Sequence, residues 1–348
     1  MKKLALICLV VLFINPMAQS TEQQNKVPVK TGYHLIKKVP LADEGRWDYI
    51  TIDTAARRLY VGRRDRVSVI NIDKYTVVGE IPDTSGIHRA VVVPELKRGF
   101  TSNGLANTVT IFDPITLKTI GVVAVGTNPD WLMYDRFSRR IITSNGKSMD
   151  LSVIDPVSAK VLGTIPLGGK PETAATDENG TMYVNLEDKN ELAVFDPVKM
   201  TVTARWPLEP CEEPTGLAID NKNHRLFVAC GGNRIMAVVD AVRGKVITTQ
   251  KIGEDADAIV FEPSTGNIFT SNSDKTLTVL HADSPDKVSV LETVATRSGA
   301  RTVALDTKTH RLFLMSAEYG PAPAATPENP KPKPIIMPHS VQLLVLGK

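Results

Sequence analysis

The sequence predicts an all-β fold: a seven-bladed β-propeller whose four-stranded antiparallel blades close into a ring. Three observations support this prediction. A unit of about 40–45 residues recurs seven times, each unit contains short β-like runs between turn residues, and a run near the N-terminus supplies a strand that the last unit lacks. No stretch shows sustained helical periodicity with caps.

The first two strands of each unit share one phrase: an apolar run, an acid or turn residue, a polar turn and a second apolar run. The seven copies are YITIDTAARRLYV, AVVVPELKRGFTS, WLMYDRFSRRIIT, TAATDENGTMYV, GLAIDNKNHRLFV, AIVFEPSTGNIFT and TVALDTKTHRLFL. They are anchored at Asp53, Pro94, Asp135, Asp177, Asp220, Glu262 and Asp306, with separations of 41, 41, 42, 43, 42 and 44 residues. This regular spacing predicts one module repeated around an axis.

Further β-like runs follow in each unit. The third ends in an acid or turn residue, as in VSVINID, VTIFDP, LSVIDP, LAVFDP, MAVVDA and LTVLHA. The fourth is a run such as TVVGEIP, KTIGVVAVG, KVLGTIPLG or KVITTQKIG. Because β-branched runs between Asp, Asn, Gly and Pro turns are typical of short strands, each unit is predicted to be one blade.

The last unit ends with VQLLVLGK, which is its third strand. HLIKKVPL, from His34 to Leu41, has the pattern of the missing fourth strand. We therefore expect the N-terminal strand to complete the last blade, which removes the open sheet edges. A solenoid is the structural alternative, but it would need capping units at both ends, and the sequence shows none.

The repeat phrases resemble those of the YVTN-repeat, YncE-like family of exported bacterial seven-bladed propellers. The features that carry the resemblance are RRLYV or HRLFV after the acid and VxVID at the end of the third strand, and it extends over residues 34–348. It implies a periplasmic or secreted protein with a binding role more often than a defined reaction. Because the phrases mark packing and turns, they predict the fold and not an activity.

The N-terminal residues 1–20 have the features of a secretory signal peptide. Two lysines precede an apolar stretch over residues 4–14, and small residues lie near Ser20. The apolar stretch is too short to span a bilayer, so we expect cleavage near Ser20, a linker over 21–33 and no transmembrane anchor after cleavage. The prediction is a periplasmic or secreted monomer.

Outside the leader the chain has two cysteines, Cys211 and Cys230. One precedes the first strand of the fifth unit and the other ends its second strand, so both come out at the same face of one blade. In an oxidising compartment this pair favours a disulfide over two reduced thiols. A zinc site would need further Cys or His ligands at close spacing.

The position five residues before each anchor begins the innermost strand of a blade, so these residues are predicted to ring the mouth of the central channel. They are Asp48, Arg89, Asp130, Glu172, Thr215, Asp257 and Arg301. Further candidates beside them are Trp47, His88, Trp131, Cys211, Glu212, Glu213 and Asp255. Pockets favour the mouths of closed β architectures, although a water-filled mouth needs polar residues in any propeller.

Three ligand chemistries fit this ring. Arg89 and Arg301 can clamp a carboxylate or phosphate, and Trp47 and Trp131 can offer flat faces to a sugar ring or an organic cation. The third is a hard divalent cation such as calcium or magnesium, the one candidate cofactor. Its candidate ligands are Asp48, Asp130, Glu172 and Asp257.

An enzymatic alternative uses the same carboxylates. Gluconolactonase-like propellers hold a divalent metal at this place to polarise a carbonyl, so a metal-dependent lactonase or lyase is the main rival, although repeat phrasing and blade count differ. No Ser/His/Asp arrangement is evident, because His224 and His310 fall in bottom-face turns and His281 follows a third strand. We interpret His88 as a hydrogen-bonded loop residue and predict no catalytic residue.

Residues 319–340, YGPAPAATPENPKPKPIIMPHS, interrupt the last unit with seven prolines. Proline disfavours helix and ladder pairing and favours an extended polyproline course. The insertion leaves from the same face as the ring, so it either lies across the channel mouth or offers itself to a partner. A solvated loop without a role is the alternative.

The leading functional prediction is a non-catalytic binding or scaffold protein of the cell envelope. Its single propeller domain, residues 34–348, would hold a small ligand or an envelope protein at the ring. Nucleic acid is the weakest partner considered, because the formal charge of +3 falls to +1 without the two leader lysines.

Overall fold

The computed structural model describes residues 30–41, 45–326, 330 and 332–348. Within them, seven four-stranded antiparallel sheets account for nearly all regular structure, and helix is limited to two single 3-10 turns, Pro94–Leu96 and Glu187–Lys189. None of the helices in this part of the chain could cross a membrane. The predicted signal peptide over 1–20 and most of the linker over 21–33 lie outside the described residues.

The strands are numbered in chain order. Blades one to three comprise β2 Trp47–Asp53, β3 Arg58–Arg63, β4 Arg66–Asn71, β5 Thr76–Ile81; β6 Ile87–Val93, β7 Arg98–Asn103, β8 Thr108–Phe112, β9 Thr119–Ala124; and β10 Pro129–Asp135, β11 Arg140–Asn145, β12 Asp150–Asp155, β13 Lys160–Pro166. Blades four and five comprise β14 Pro171–Thr176, β15 Met182–Leu186, β16 Glu191–Asp196, β17 Thr201–Pro207; and β18 Pro214–Asp220, β19 Arg225–Cys230, β20 Ile235–Asp240, β21 Lys245–Lys251. Blade six comprises β22 Ala256–Glu262, β23 Asn267–Asn272, β24 Thr276–Ser284 and β25 Lys287–Ala295, and blade seven β26 Val303–Asp306, β27 Arg311–Ser316, β28 Gln342–Gly347 and β1 His34–Pro40.

The seven-bladed prediction and its mode of closure are confirmed. Strand β1 pairs antiparallel with β28, with Val39 opposite Leu343, and so forms the outer strand of the last blade. Tyr33, just before β1, packs edge-on against Phe269 of blade six with ring centroids 5.1 Å apart. The N-terminal strand therefore joins the last blade and also contacts the blade before it.

In blades two to five, the acid at the end of the third strand has a structural role in the following turn. In blade three, both backbone N–H groups of Val157 and Ser158 donate to Asp155 Oδ1 over 2.8 Å, and these hydrogen bonds lower the pKa of that carboxyl. Equivalent turns form at Asp113, Asp196 and Asp240. An Asp side chain that satisfies two turn N–H groups explains why this residue recurs in the repeat.

A second repeated contact joins neighbouring blades. The arginine that begins a second strand donates to the carbonyl of the proline after the third-strand acid in the next blade. The pairs are Arg58 with Pro114, Arg98 with Pro156 and Arg140 with Pro197. The arginine of the RRLYV-like phrase and the proline of the DP dipeptide are therefore the donor and acceptor residues of one inter-blade hydrogen bond.

The predicted disulfide is confirmed. Cys211 and Cys230 are bonded, with their Cα atoms 5.3 Å apart, and both side chains are buried. The bridge joins the chain just before β18 to the end of β19, at the mouth face of blade five. Together with the repeated turns it belongs to the scaffold.

The two ends of the proline-rich insertion pair with each other, but they form fewer backbone hydrogen bonds than a β-hairpin. Tyr319 and Ile336 make one isolated antiparallel bridge, and the Gly320 N–H donates to the Ile335 carbonyl over 2.8 Å. The residues between these ends have no strand structure where the chain is described. Prolines limit the pairing to the two ends, as their missing N–H groups require.

Candidate functional site

A cavity of about 820 Å³ occupies the mouth of the central channel. The mouth cavity, as we call it, falls within the range of about 300–1,000 Å³ that is typical of small-molecule sites. The sequence-predicted residues that line it are Trp47, Asp48, His88, Asp130, Glu172, Thr215, Asp255, Asp257 and Arg301. Arg89 and Trp131, also predicted for the mouth, line a second cavity deeper in the channel.

The different position of Arg89 follows from the register of blade two. Asp53 of β2 pairs with Arg58, and the equivalent pair in blade two is Val93 with Arg98, because Pro94 starts a 3-10 turn and does not end the strand. Counted from Val93, the ring position belongs to His88. The anchor of blade two is therefore Val93 and not Pro94, so the predicted ring position of Arg89 is wrong by one residue. Arg89 lies one layer below the mouth.

His88 is held between two carboxylates from the flanking blades. Its Nδ1 lies 2.7 Å from Asp48 Oδ2 and 3.5 Å from Asp130 Oδ1. Burial opposes a charge on the ring, but the hydrogen bond to Asp48 and the charges of Asp130, Asp48 and Glu172 outweigh it and raise the pKa of His88 to about 9. His88 lies within β6, not in a loop, and it is an imidazolium at neutral pH.

Two further cations form ion pairs in the mouth. Lys170 Nζ lies 2.7 Å from Glu172 Oε1 and also contacts Glu187, and these carboxylates raise its pKa against the effect of burial. Arg301 Nη1 lies 3.1 Å from Asp257 Oδ2, and Asp257 raises the pKa of the guanidinium. Blades four, six and seven therefore each contribute a charge to the same cavity.

Three carboxyl groups of the mouth have a raised pKa, although the basic residues Arg46, Arg63, Arg64 and Lys333 also line the cavity. Burial raises the pKa of Asp130 although His88 lies beside it, and burial together with Asp130 raises the pKa of Glu172. Burial also raises the pKa of Asp257 to about 7, with Arg301 opposing and Asp48 adding to the rise. Asp130 Oδ1 is buried and accepts no hydrogen bond from any described residue. A further cationic donor would satisfy it and would favour the ionised acids.

Tyr49 forms the floor of the mouth cavity, and Arg89 and Trp131 lie in the layer below it. Tyr49 lines both the mouth and the deeper cavity, and its ring meets Trp131 edge-on at a centroid distance of 5.0 Å. Burial, with the surrounding acids, raises the pKa of Tyr49 well above its usual value, so the phenol stays neutral. Arg89 stacks on Trp131, its guanidinium carbon 3.3 Å from the ring centroid.

The insertion reaches the rim of the mouth. Lys333 lines the mouth cavity, and Tyr319, Pro334 and Ile336 line an adjoining cavity of about 270 Å³ together with Trp47. This position agrees with the expectation that the insertion lies across the mouth. Whether it also contacts a partner stays a prediction.

Several residues of the mouth were missed by sequence reasoning. Lys170 and Tyr49 each adjoin a ring position, and Lys333 lies in the insertion, so spacing from the anchors could have suggested the first two. The four candidate ligands of a divalent ion all line the mouth cavity, and their binding of a metal stays a prediction; they are Asp48, Asp130, Glu172 and Asp257. Among the described side chains, no group of three or more His, Cys, Asp or Glu residues could hold a metal ion.

Comparison with known proteins gives the fold alone. No family model matches the chain, and no curated protein matches it. A chain of Kuenenia stuttgartiensis hydrazine synthase is similar in structure, with a TM-score of 0.68 and 12% identity over 90% of this chain and 98% of that one. A chain of a mitotic checkpoint complex gives a TM-score of 0.71 and 12% identity over 99% of both chains. At such identity, a shared propeller does not imply a shared ligand.

Proposed function

We propose that this protein is a non-catalytic binding protein that holds a small, amine-bearing ligand in the mouth cavity. The observation that carries the proposal is Asp130 of blade three, whose side chain is 17% exposed and whose buried Oδ1 lies 3.5 Å from His88 Nδ1 but accepts no hydrogen bond from the described residues. An acceptor without a hydrogen-bond donor is destabilising, and a charged donor is its strongest partner. An ammonium group bound beside Asp130 would supply that donor.

The surrounding charges support the same ligand class. Asp130, Glu172 and Asp257 all have a raised pKa, so each gains from a nearby positive charge. Trp47 at the rim offers an aromatic face to the cation or to its carbon chain. His88 is already protonated at neutral pH, which makes it unsuited to act as a general base and supports binding over catalysis.

Calorimetric titration with putrescine tests the proposal. We expect binding to be tighter at pH 8 than at pH 6, because the ligand cation displaces protons from acids whose pKa is raised. Asp130→Asn should weaken putrescine binding about tenfold, the effect of losing one charge-assisted hydrogen bond. 1,4-Butanediol, of the same length without charge, should not bind.

The matched control is Glu95→Gln, since Glu95 is an exposed acid in the turn that follows β6, at the opposite end of that strand from His88. This variant should bind putrescine as the native chain does. Equal binding of butanediol, or equal loss in both variants, would contradict the proposal. Tight binding of Ca²⁺ or Mg²⁺ without putrescine binding would instead favour the metal-dependent lactonase or lyase.

We also propose that the protein is exported and belongs with the YncE-like propellers. The apolar leader over residues 4–14 and the Cys211–Cys230 disulfide support export, because structural disulfides form in oxidising compartments. The repeat phrases support the family. Cell fractionation with a non-reducing gel tests export: the oxidised chain should be in the periplasm or medium, and a reduced cytosolic chain would contradict it.

A further inference from the structure

Below the mouth floor, the channel contains a second cavity of about 320 Å³. Blades one to three fill one side of this layer with Tyr49, Arg89 and Trp131. Blades four to six place Thr173, Gly216 and Ala258 on the other side. Large side chains face small ones across the channel, and this asymmetry leaves the space open.

Arg89 lines this cavity and has donors without a partner among the described residues. Its Nε and Nη1 are buried and have no acceptor among the described residues. Its guanidinium carbon lies 3.3 Å from the centroid of the Trp131 ring, and this cation–π contact holds the side chain at the cavity wall. Trp131 Nε1 is a third buried donor that has no acceptor in the described chain.

The positive charge of Arg89 has no ion-pair partner among the described residues, in contrast to that of Arg301 in the mouth. Arg301 pairs with Asp257, whereas no ion pair to Arg89 occurs within the described residues. Burial lowers the pKa of Arg89 to about 9, and Tyr49 is the one group that opposes this change. A buried cation is normally paired, so an anion is the missing component.

The remaining walls of this second cavity are mainly apolar. They include Ile50, Ile52, Leu217, Ile259, Phe261 and Leu305. Arg89 and Thr51 also line a third cavity of about 460 Å³ that includes Asp53 and Thr54, at the end of β2 away from the mouth. A ligand can therefore approach from the face opposite the mouth.

We propose that the channel below Tyr49 is a second binding site, specific for a small carboxylic acid with an apolar body. The guanidinium of Arg89 holds the carboxylate through charge-assisted hydrogen bonds, in which Nη2 acts together with Nε or with Nη1. The apolar body lies against the aliphatic walls and Phe261. The site takes an anion, whereas the mouth takes a cation.

Calorimetric titration of the full chain with benzoate, and with benzyl alcohol as its neutral counterpart, tests this site. We expect benzoate to bind and benzyl alcohol to bind at least tenfold more weakly, since the alcohol cannot pair with Arg89. Arg89→Met should weaken benzoate binding about 10- to 100-fold, and Arg89→Lys, which keeps the charge but not the fork, about tenfold. The comparison of the two ligands on the native chain needs no variant to fold.

The matched control is Arg234→Met, which removes an arginine of blade five whose side chain is 63% exposed. It should leave benzoate affinity unchanged, and Trp131 fluorescence should still respond to benzoate. Three results would each overturn the proposal: no benzoate binding at millimolar concentration, equal binding of benzyl alcohol, or equal benzoate affinity in Arg89→Met and Arg234→Met. Putrescine binding is measured in parallel, so failure of the mouth site is seen separately.

Discussion

At the scale of single residues, the mouth is organised by ion pairs that join neighbouring blades. His88 of blade two lies between Asp48 of blade one and Asp130 of blade three, and Arg301 of blade seven pairs with Asp257 of blade six. Removing one member of a buried pair leaves an uncompensated charge, which is more destabilising than replacing both. These residues therefore serve the ring itself as well as any ligand.

His88 should make the stability of the fold dependent on pH. Its folded-state pKa of about 9 lies above the usual 6.5, so its contribution is fully present below pH ~6.5 and is lost as the pH rises through about 9. We expect His88→Gln to lower the free energy of unfolding by about 2 kcal/mol at pH 6, a value reduced for the partial exposure of the ring. Urea unfolding from pH 6 to 9.5 measures the difference, which should shrink toward the alkaline end.

Asp257 acts in a lower range and in the same direction. Its folded-state pKa of about 7 is raised, so the ionised acid is disfavoured in the fold and stability falls as the pH rises from about 4 to 7. This fall in stability between pH 4 and 7 should persist in His88→Gln.

The control for His88→Gln is His34→Gln, an exposed histidine on β1, which should follow the native pH profile of stability. A constant difference between His88→Gln and the native chain at every pH would contradict the assignment.

At the scale of elements, the repeat determines where the strands begin and end. The direction in which each mouth side chain points depends in addition on a register shift within its strand. Six innermost strands carry a register shift next to the ring position, for example between Trp47 and Ile50 of β2. A bulge redirects side chains that simple alternation would place on the other face. Strand order, ring closure and the disulfide follow from the repeat, so they could be predicted from the sequence. Which residues line the mouth cavity and which line the cavity below it depends on these bulges, so that division could not be predicted.

Blade two shows the same limit at one position. Pro94 occupies the place of the anchoring acid in the phrase, yet a 3-10 turn starts there and shifts the equivalent residue to Val93. A proline is tolerated both at the end of a strand and at the start of a 3-10 turn, so the amino-acid sequence alone does not determine the strand register here. The consequence is large, because it exchanges His88 for Arg89 at the mouth.

The disulfide should stabilise blade five. Cys211 and Cys230 are 19 residues apart, and closing a loop of this size contributes about 3 kcal/mol in the chain-entropy model. We expect the double variant Cys211→Ala, Cys230→Ala to unfold at lower urea concentration by about that free energy, with its putrescine and benzoate affinities unchanged. The bridge belongs to the scaffold and lines none of the cavities described, so loss of either affinity without loss of stability would contradict its structural role.

At the scale of the whole molecule, closure of the ring brings together residues that are distant in sequence. Strand β1 supplies the outer strand of blade seven, while Tyr33 packs into the cluster shared with blade six and Leu41 into the cluster shared with blade one. One short segment thus supports two blade interfaces. Arg301 and Asp48, which face the same cavity, depend on that closure for their proximity.

Removal of β1 should therefore impair both the fold and the mouth. A chain that begins at residue 42 leaves β28 as an open, apolar edge, and such edges pair with other chains, so we expect oligomers and a lower melting temperature. A chain that begins at Lys30 is the control and should match the full-length protein. Addition of a peptide covering residues 30–41 should restore putrescine binding and the oligomeric state of the full-length chain, because the strand pairs through its backbone with β28 and needs no covalent link. Size-exclusion chromatography with light scattering and thermal unfolding measure both effects. A monomer of unchanged stability without β1 would show that the strand covers the last blade without closing the ring, and the shared mouth cavity would then have to be held by the other six blades.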